Sequence, residues 1–249
     1  MAGFASLLAA SAALRIASLD LCADEYLLLL ARPGEIASVS RLSHDPADSV
    51  LWRAGRRFPA NRGDIASVLP THPNLLLAMG GGARSTRLIA SKFGLRTVDL
   101  AYPASIAEVE ARMIDVARAL GDVHRADPWR RRLAAIRARS IVPRDTIFIG
   151  GGGNSVSPGS VSAEWMMLAG MRQRILPGGR ATLETLTVRP PSLLLRSNYR
   201  RDQPSLGQRW LDHPLVRSAR SRRIDTDGRP WTCAGPAMVS EIERLARLP

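Results

Sequence analysis

The chain has 249 residues, 45% hydrophobic and 23% charged, a balance that fits a folded globular protein and excludes a disordered one. No apolar run approaches the ~20 residues of a membrane-spanning helix. The formal net charge of +13 raises nucleic acid as a partner. Lys92 is the single lysine, however, and the arginines are scattered along the chain. The densest runs, Arg130–Arg132 and Arg220 with Arg222 and Arg223, are not interleaved with aromatics and carry no nucleic-acid-binding signature. A solvated, arginine-rich surface that favours anionic ligands is expected instead.

Residues Phe4 to Ala13 are apolar and small, and Ala10-Ser11-Ala12 resembles a signal-peptidase site, so residues 1–13 read as part of a leader peptide. Arg15–Leu19 reads as a buried strand and Asp20 to Ala31 as a helix stopped by Pro33-Gly34. Ile36–Val39 follows as a strand. Asp45-Pro46 then predicts a helix start, with proline at the first helical position. Asn74–Met79 is a strand that runs into Gly80-Gly81-Gly82 and a helix from Ser85 to Phe93. Thr97–Leu100 is another strand, and Ser105 with Glu108 forms a capping box for a helix reaching Leu120. His124 to Ser140 predicts one helix, with Trp129, Leu133 and Ile136 on its apolar stripe. The pattern then restarts: strand Thr146–Ile149, glycines 150–153, helix Ala163 to Ala169, strand Leu193–Leu195, helix Leu206 to Leu211, and a last helix from Pro236 to Leu248. Alternating strands and helices imply parallel sheets covered on both faces. Pro73-Asn-Leu-Leu-Leu and Pro191-Ser-Leu-Leu-Leu echo one another, as two related lobes would.

Chemical motifs are sparse. The histidines His44, His72, His124 and His213 lack metal-binding spacing, and no Walker A, His-Glu-x-x-His or EF-hand pattern occurs. Gly153-Asn-Ser155-Val-Ser157 misses the nucleophile-elbow pattern at its last position. The glycine loops lack the third glycine and the downstream acid of a dinucleotide site. They more simply let backbone approach a ligand at the carboxyl ends of strands. Cys22 and Cys233 read either as two buried thiols or as one disulfide of an oxidising compartment.

Several segments resemble one family. Arg15-Ile-Ala-Ser-Leu-Asp-Leu-Cys-Ala-Asp-Glu looks like its opening strand and turn, and Pro33-Gly34-Glu-Ile-Ala-Ser-Val-Ser40 like its second strand. Val68-Leu-Pro-Thr-His-Pro-Asn-Leu-Leu-Leu is similar to its next strand entry, with Asn74 in place of aspartate. Phe148-Ile-Gly-Gly-Gly-Gly-Asn and Trp231-Thr-Cys-Ala-Gly-Pro resemble motifs of its second lobe. The family is the iron-siderophore and cobalamin type of periplasmic substrate-binding protein of ABC importers.

That resemblance implies two parallel-sheet α/β lobes joined by a single long helix, with ligand held in the cleft between them. The lobes would span 14–121 and 144–249, and the bridging helix 122–143. It implies a periplasmic monomer without cofactor that captures an iron chelate (siderophore or haem) or cobalamin for an ABC permease and its ATPase. An orphan sensor of the same fold, or a chelatase-like or nucleotide-using enzyme, are the alternatives. Mapped onto this chain, the ligand contacts would be Ser43, His44, Gly81, Asn154, Asn198, Tyr199 and Trp231, with Tyr199 and Trp231 stacking on a flat chelate. Cys22 and Cys233 fall near the cleft and are expected to form a disulfide. The family docks its permease through a glutamate on each lobe. The matching positions are Ala66 and a residue near Gly159 or Ser160, leaving Asp64 and Glu164 as nearby substitutes.

Overall fold

The computed structural model describes residues 13–80 and 83–248, so nearly all of the 1–13 leader and Gly81 lie outside the described residues. The first lobe runs β1 (Ile16–Ser18), α1 (Leu21–Leu30), β2 (Ile36–Ser40), α2 (Trp52–Gly55), β3 (Ala60–Asn61), α3 (Ile65–Val68), β4 (Leu75–Met79), α4 (Ala83–Lys92), β5 (Arg96–Leu100) and α5 (Ile106–Ala119). After a 3-10 turn at Val123–Ala126 comes α6 (Asp127–Arg137). The second lobe runs β6 (Arg144–Ile149), α7 (Val161–Leu168), β7 (Met171–Gln173), α8 (Leu183–Val188), β8 (Leu193–Ser197), α9 (Leu206–Leu211), α10 (Pro214–Arg217), β9 (Arg222–Thr226), α11 (Pro230–Cys233) and α12 (Met238–Leu245).

Both sheets are wholly parallel, ordered β3-β2-β1-β4-β5 and β7-β6-β8-β9. The strand order reverses between β1 and β4 in one lobe and between β6 and β8 in the other. Such switch points open a crevice at the carboxyl ends of the strands.

Side-chain alternation divides the core. On one face of the first sheet, Ala17, Leu76 and Ala78 pack with Ile65, Val68 and Ala90 of the flanking helices. On one face of the second, Ile147, Ile149 and Leu194 pack with Leu186, Leu211 and Val216. The remaining faces do not form separate cores. Ile16, Leu75 and Leu77 of the first sheet belong to the same apolar cluster as Phe148, Leu193 and Leu195 of the second, through α1, α5, α6, α7 and α12. The lobes are therefore fused along one side.

The helix between the lobes, α6, has 11 residues, or about 17 Å. This is shorter than the sequence predicts, because its start is a 3-10 turn capped by Asp122. It lies against α12: Arg132 bonds Glu243 at 2.9 and 2.8 Å, and the Trp129 indole donates to the Pro236 carbonyl at 2.9 Å. The helix expected from Asp45-Pro46 does not form. Asp45 instead accepts the Ala47 amide on its side chain and the Asp48 and Ser49 amides on its carbonyl, closing a turn that aims Asp48 at the other lobe. Among the described residues no helix is long and apolar enough to cross a membrane.

Candidate functional site between the lobes

Loops at the carboxyl ends of strands from both lobes meet directly. Asp48, in the loop after β2, is buried and accepts from the Tyr199 hydroxyl at 2.8 Å and from Arg200 at 3.0 and 2.7 Å, both in the loop after β8. Arg229, after β9, donates to the Pro46 and Ser49 carbonyls at 2.8 and 3.3 Å. Burial, followed by the bond to Asp48, raises the Tyr199 phenol above its ordinary pKa. This side of the crevice is thus closed by polar contacts.

Deeper in, α1 anchors the junction. Asp20 caps α1 through the Ala23 amide and also accepts the Met79 amide at 2.7 Å, tying the ends of β1 and β4 together. Asp24 is buried and accepts from the hydroxyls of Ser18, Ser40 and Ser43 and from the Ser40 amide. Burial still pushes its carboxyl up to about 6. Next to it, Glu25 accepts the Ala237 amide of the second lobe at 3.2 Å, and burial pushes it up to about 8. One turn away, Cys22 is joined to Cys233 by a disulfide. The two lobes are covalently linked beside the crevice.

The residues expected to touch ligand separate into groups. Ser43 is buried and spends its hydroxyl on Asp24 at 2.6 Å. His44 is half-buried, with Nε2 3.1 Å from the Phe58 carbonyl. Tyr199 bonds Asp48, and Asn198 accepts the Gly228 amide at 3.0 Å. Trp231 packs within the second lobe, its ring centroid 5.1 Å from that of Phe148 and its indole N–H on Thr226 at 2.8 Å. Asn154 is exposed, on the wall of an open concavity of about 880 Å³.

Besides Asn154, that concavity holds side chains the sequence reading missed. Gly152, Asn154, Arg180, Leu206, Gly207 and Trp210 line it at the carboxyl ends of the second sheet's strands. Arg180 is held there by a bond to the Gly152 carbonyl and by the Asn154–Arg180 bridge. Gly153 has φ +78°, and a Cβ there would stand 2.5 Å from the Ala181 carbonyl and 2.9 Å from the Trp210 ring. The glycines therefore let the loop settle against Trp210. Leu206 is 81% exposed. In the first lobe, Tyr102 follows β5, is 60% exposed, and lies against Gly80, where a Cβ would come within 2.4 Å of its ring. Aromatics among the chain's few, beside strand-end glycines, were the available signal.

The residues expected to dock a permease sit as follows. Asp64 is the exposed N-cap of α3, bonded to the Ser67 amide at 2.7 Å. Glu164 accepts the Ile106 amide at 2.7 Å, so it is tied across the junction between α7 and α5. Counted seven residues back from the echoed prolines Pro73 and Pro191, the equivalent of Ala66 is Glu184, exposed in the first turn of α8. Among the described residues no group of three or more His, Cys, Asp or Glu side chains could hold a metal ion.

No protein-family model matches the sequence, and no curated protein matches it either. Solved structures do. The fold is that of the two-lobed periplasmic binding proteins. The chain resembles the periplasmic haem-binding protein HutB of Vibrio cholerae at 15% identity and TM-score 0.69, covering 94% of this chain and 97% of that one. It resembles a periplasmic haem-binding protein from Pseudomonas aeruginosa at 18% identity and TM-score 0.66, covering 93% and 91%. The periplasmic vitamin B12-binding protein BtuF of Vibrio cholerae follows at 15% identity and TM-score 0.63, covering 93% and 94%.

Proposed function

We propose that this chain is the periplasmic ligand-binding component of an ABC importer and that it captures a large, partly planar metal chelate. Haem and cobalamin come first, because they are what the similar structures are named for, and iron-siderophore complexes follow. The observation that carries the reading is the glycine-walled concavity at the second lobe's switch point. It offers an indole, an exposed leucine and a guanidinium (Trp210, Leu206 and Arg180) on one wall. A flat, apolar ligand with acidic or amide edges fits such a surface, with Tyr102 supplying a second aromatic face. Handover to a permease would use Asp64 on one lobe and Glu184 on the other.

The test is calorimetric titration of the purified protein with haemin, cobalamin and ferric hydroxamate and catecholate chelates. Saturable micromolar or tighter binding of one, weakened at least about tenfold by Leu206→Glu, supports the reading. Leu206 is exposed, so that variant leaves the fold intact. No binding of any of the four sinks it.

A further inference from the structure

We infer that the second lobe carries an anion-binding groove, separate from the crevice between the lobes, that takes a small polyanion bearing two or more phosphate or carboxylate groups. The groove of about 1120 Å³ lies along β8 and β9 beside α10, and its wall includes Arg196, Arg201, Arg217, Arg223, Asp212 and Asp225.

Its origin is a gap in the helix layer. One face of the second sheet is covered by α8, α9 and α10, and α11 and α12, which follow β9, pack on the other face with α6 and α7. Among the described residues no helix packs over β9 on the first face, and α10 only borders it. The strand accordingly buries Ile224 and Thr226 on the helix-packed side and exposes Arg223 and Asp225 on the open one.

The charges there are arranged, not merely present. Asp225 grips Arg196 through two bonds of 2.8 and 3.0 Å, and Asp212 stands 4.0 Å from the same guanidinium. Arg196 is the nearest partner of both aspartates, with Arg201 and Arg223 acting on Asp225 from farther off. Arg201, Arg217 and Arg223 form no ion pair with a carboxylate among the described residues. Arg223 is nonetheless held in place, donating to the Arg217 carbonyl across the groove wall. The Ser221 hydroxyl, on the same wall, is sheltered from solvent and has no hydrogen-bond partner. Four arginines against two aspartates leave an excess of positive charge in a concave site. Fixed guanidinium groups recognise phosphate or carboxylate oxygens. An edge strand also gains from charge that discourages pairing with other strands, but that need would be met by a convex, mobile surface and does not call for a concave one with its guanidinium groups held in place.

The experiment titrates tripolyphosphate, citrate and inorganic phosphate into the whole protein at constant ionic strength, read by calorimetry. The expected result is saturable binding of tripolyphosphate or citrate at least about tenfold tighter than inorganic phosphate. The double variant Arg217→Gln/Arg223→Gln should weaken it by a further tenfold or more, while the equally charged control Arg57→Gln/Arg131→Gln stays within about twofold. The preferred anion then identifies phosphate or carboxylate as the recognised group. Equal weakening in both double variants, or a non-saturating response, would mean diffuse screening of the net charge and would overturn the inference. Chelate binding in the crevice is measured separately with Leu206→Glu, so the two readings fail independently.

Discussion

Reducing the Cys22–Cys233 bridge should destabilise the protein strongly without splitting its unfolding into two steps. The cysteines are separated by 211 positions, so the chain-entropy relation gives roughly 5 kcal/mol of lost constraint on the unfolded state. Residual compactness in the unfolded chain lowers that figure, which is an upper bound. With a urea m-value near 3 kcal/mol/M, the midpoint should fall by about 1.5 M. The assay is urea unfolding followed by circular dichroism and tryptophan fluorescence. It compares oxidised protein, dithiothreitol-reduced protein and Cys22→Ala/Cys233→Ala. Because the apolar cluster is continuous from Ile16 to Leu245 across the lobe junction, both probes should report one transition in all three samples. Identical midpoints for oxidised and reduced protein would refute the argument from loop closure. Two resolved transitions after reduction would refute the shared core.

Glu25 gives a pH prediction. Its carboxyl is raised to about 8 in the folded protein from an ordinary 4.5, so the native state holds a proton that the unfolded state releases. Stability from this group is full below about 4.5 and is lost as pH rises through about 8, by on the order of a few kcal/mol. Glu25→Gln should flatten that slope in urea midpoints measured between pH 5 and 9, and an unchanged slope would exclude Glu25 as its source. Asp48→Asn removes the charge that holds Tyr199 and Arg200 across the crevice. Amide exchange in residues 45–50 and 198–203 should accelerate by about tenfold, with the sheets unchanged; unaltered exchange would show that the contact does not hold the loops. Gly153→Ala forces a left-handed residue and puts its Cβ 2.5 Å from the Ala181 carbonyl oxygen. It should cost at least ~2 kcal/mol in thermal or urea unfolding, and a neutral result would contradict the loop geometry.

Much of the architecture was readable from periodicity and punctuation. α1 begins after the Asp20 cap, β4 ends at its glycine, and α9 covers the expected Leu206 to Leu211. The short edge strands were not legible. β7 is three residues with an exposed arginine at its centre, and β9 opens on two arginines. Neither shows the apolar run that marked the central strands, because each is covered on fewer sides. The crevice was legible as loops but less so as side chains. Ser43 and Trp231 look available in a sequence, yet Asp24 and Phe148 engage them. Those partners are 19 and 83 positions away, beyond any local pattern. Arg180, in the loop after β7, was missed together with that strand.

The shared cluster also bears on the order in which the chain can fold. Its first contributors, from β1 and α1, are synthesised some two hundred residues before their partners Met238, Val239 and Ile242 on α12. Until α11 and α12 emerge, Cys22 has no thiol to pair with and the apolar cluster lacks its contributions from Met238, Val239 and Ile242. Contacts so distant in sequence make folding slow and leave apolar surface exposed in the interim. A growing chain would therefore stay open to chaperones until the segment from Cys233 to Leu245 appears, and a nonsense mutation just ahead of that segment should be as damaging as one in the middle.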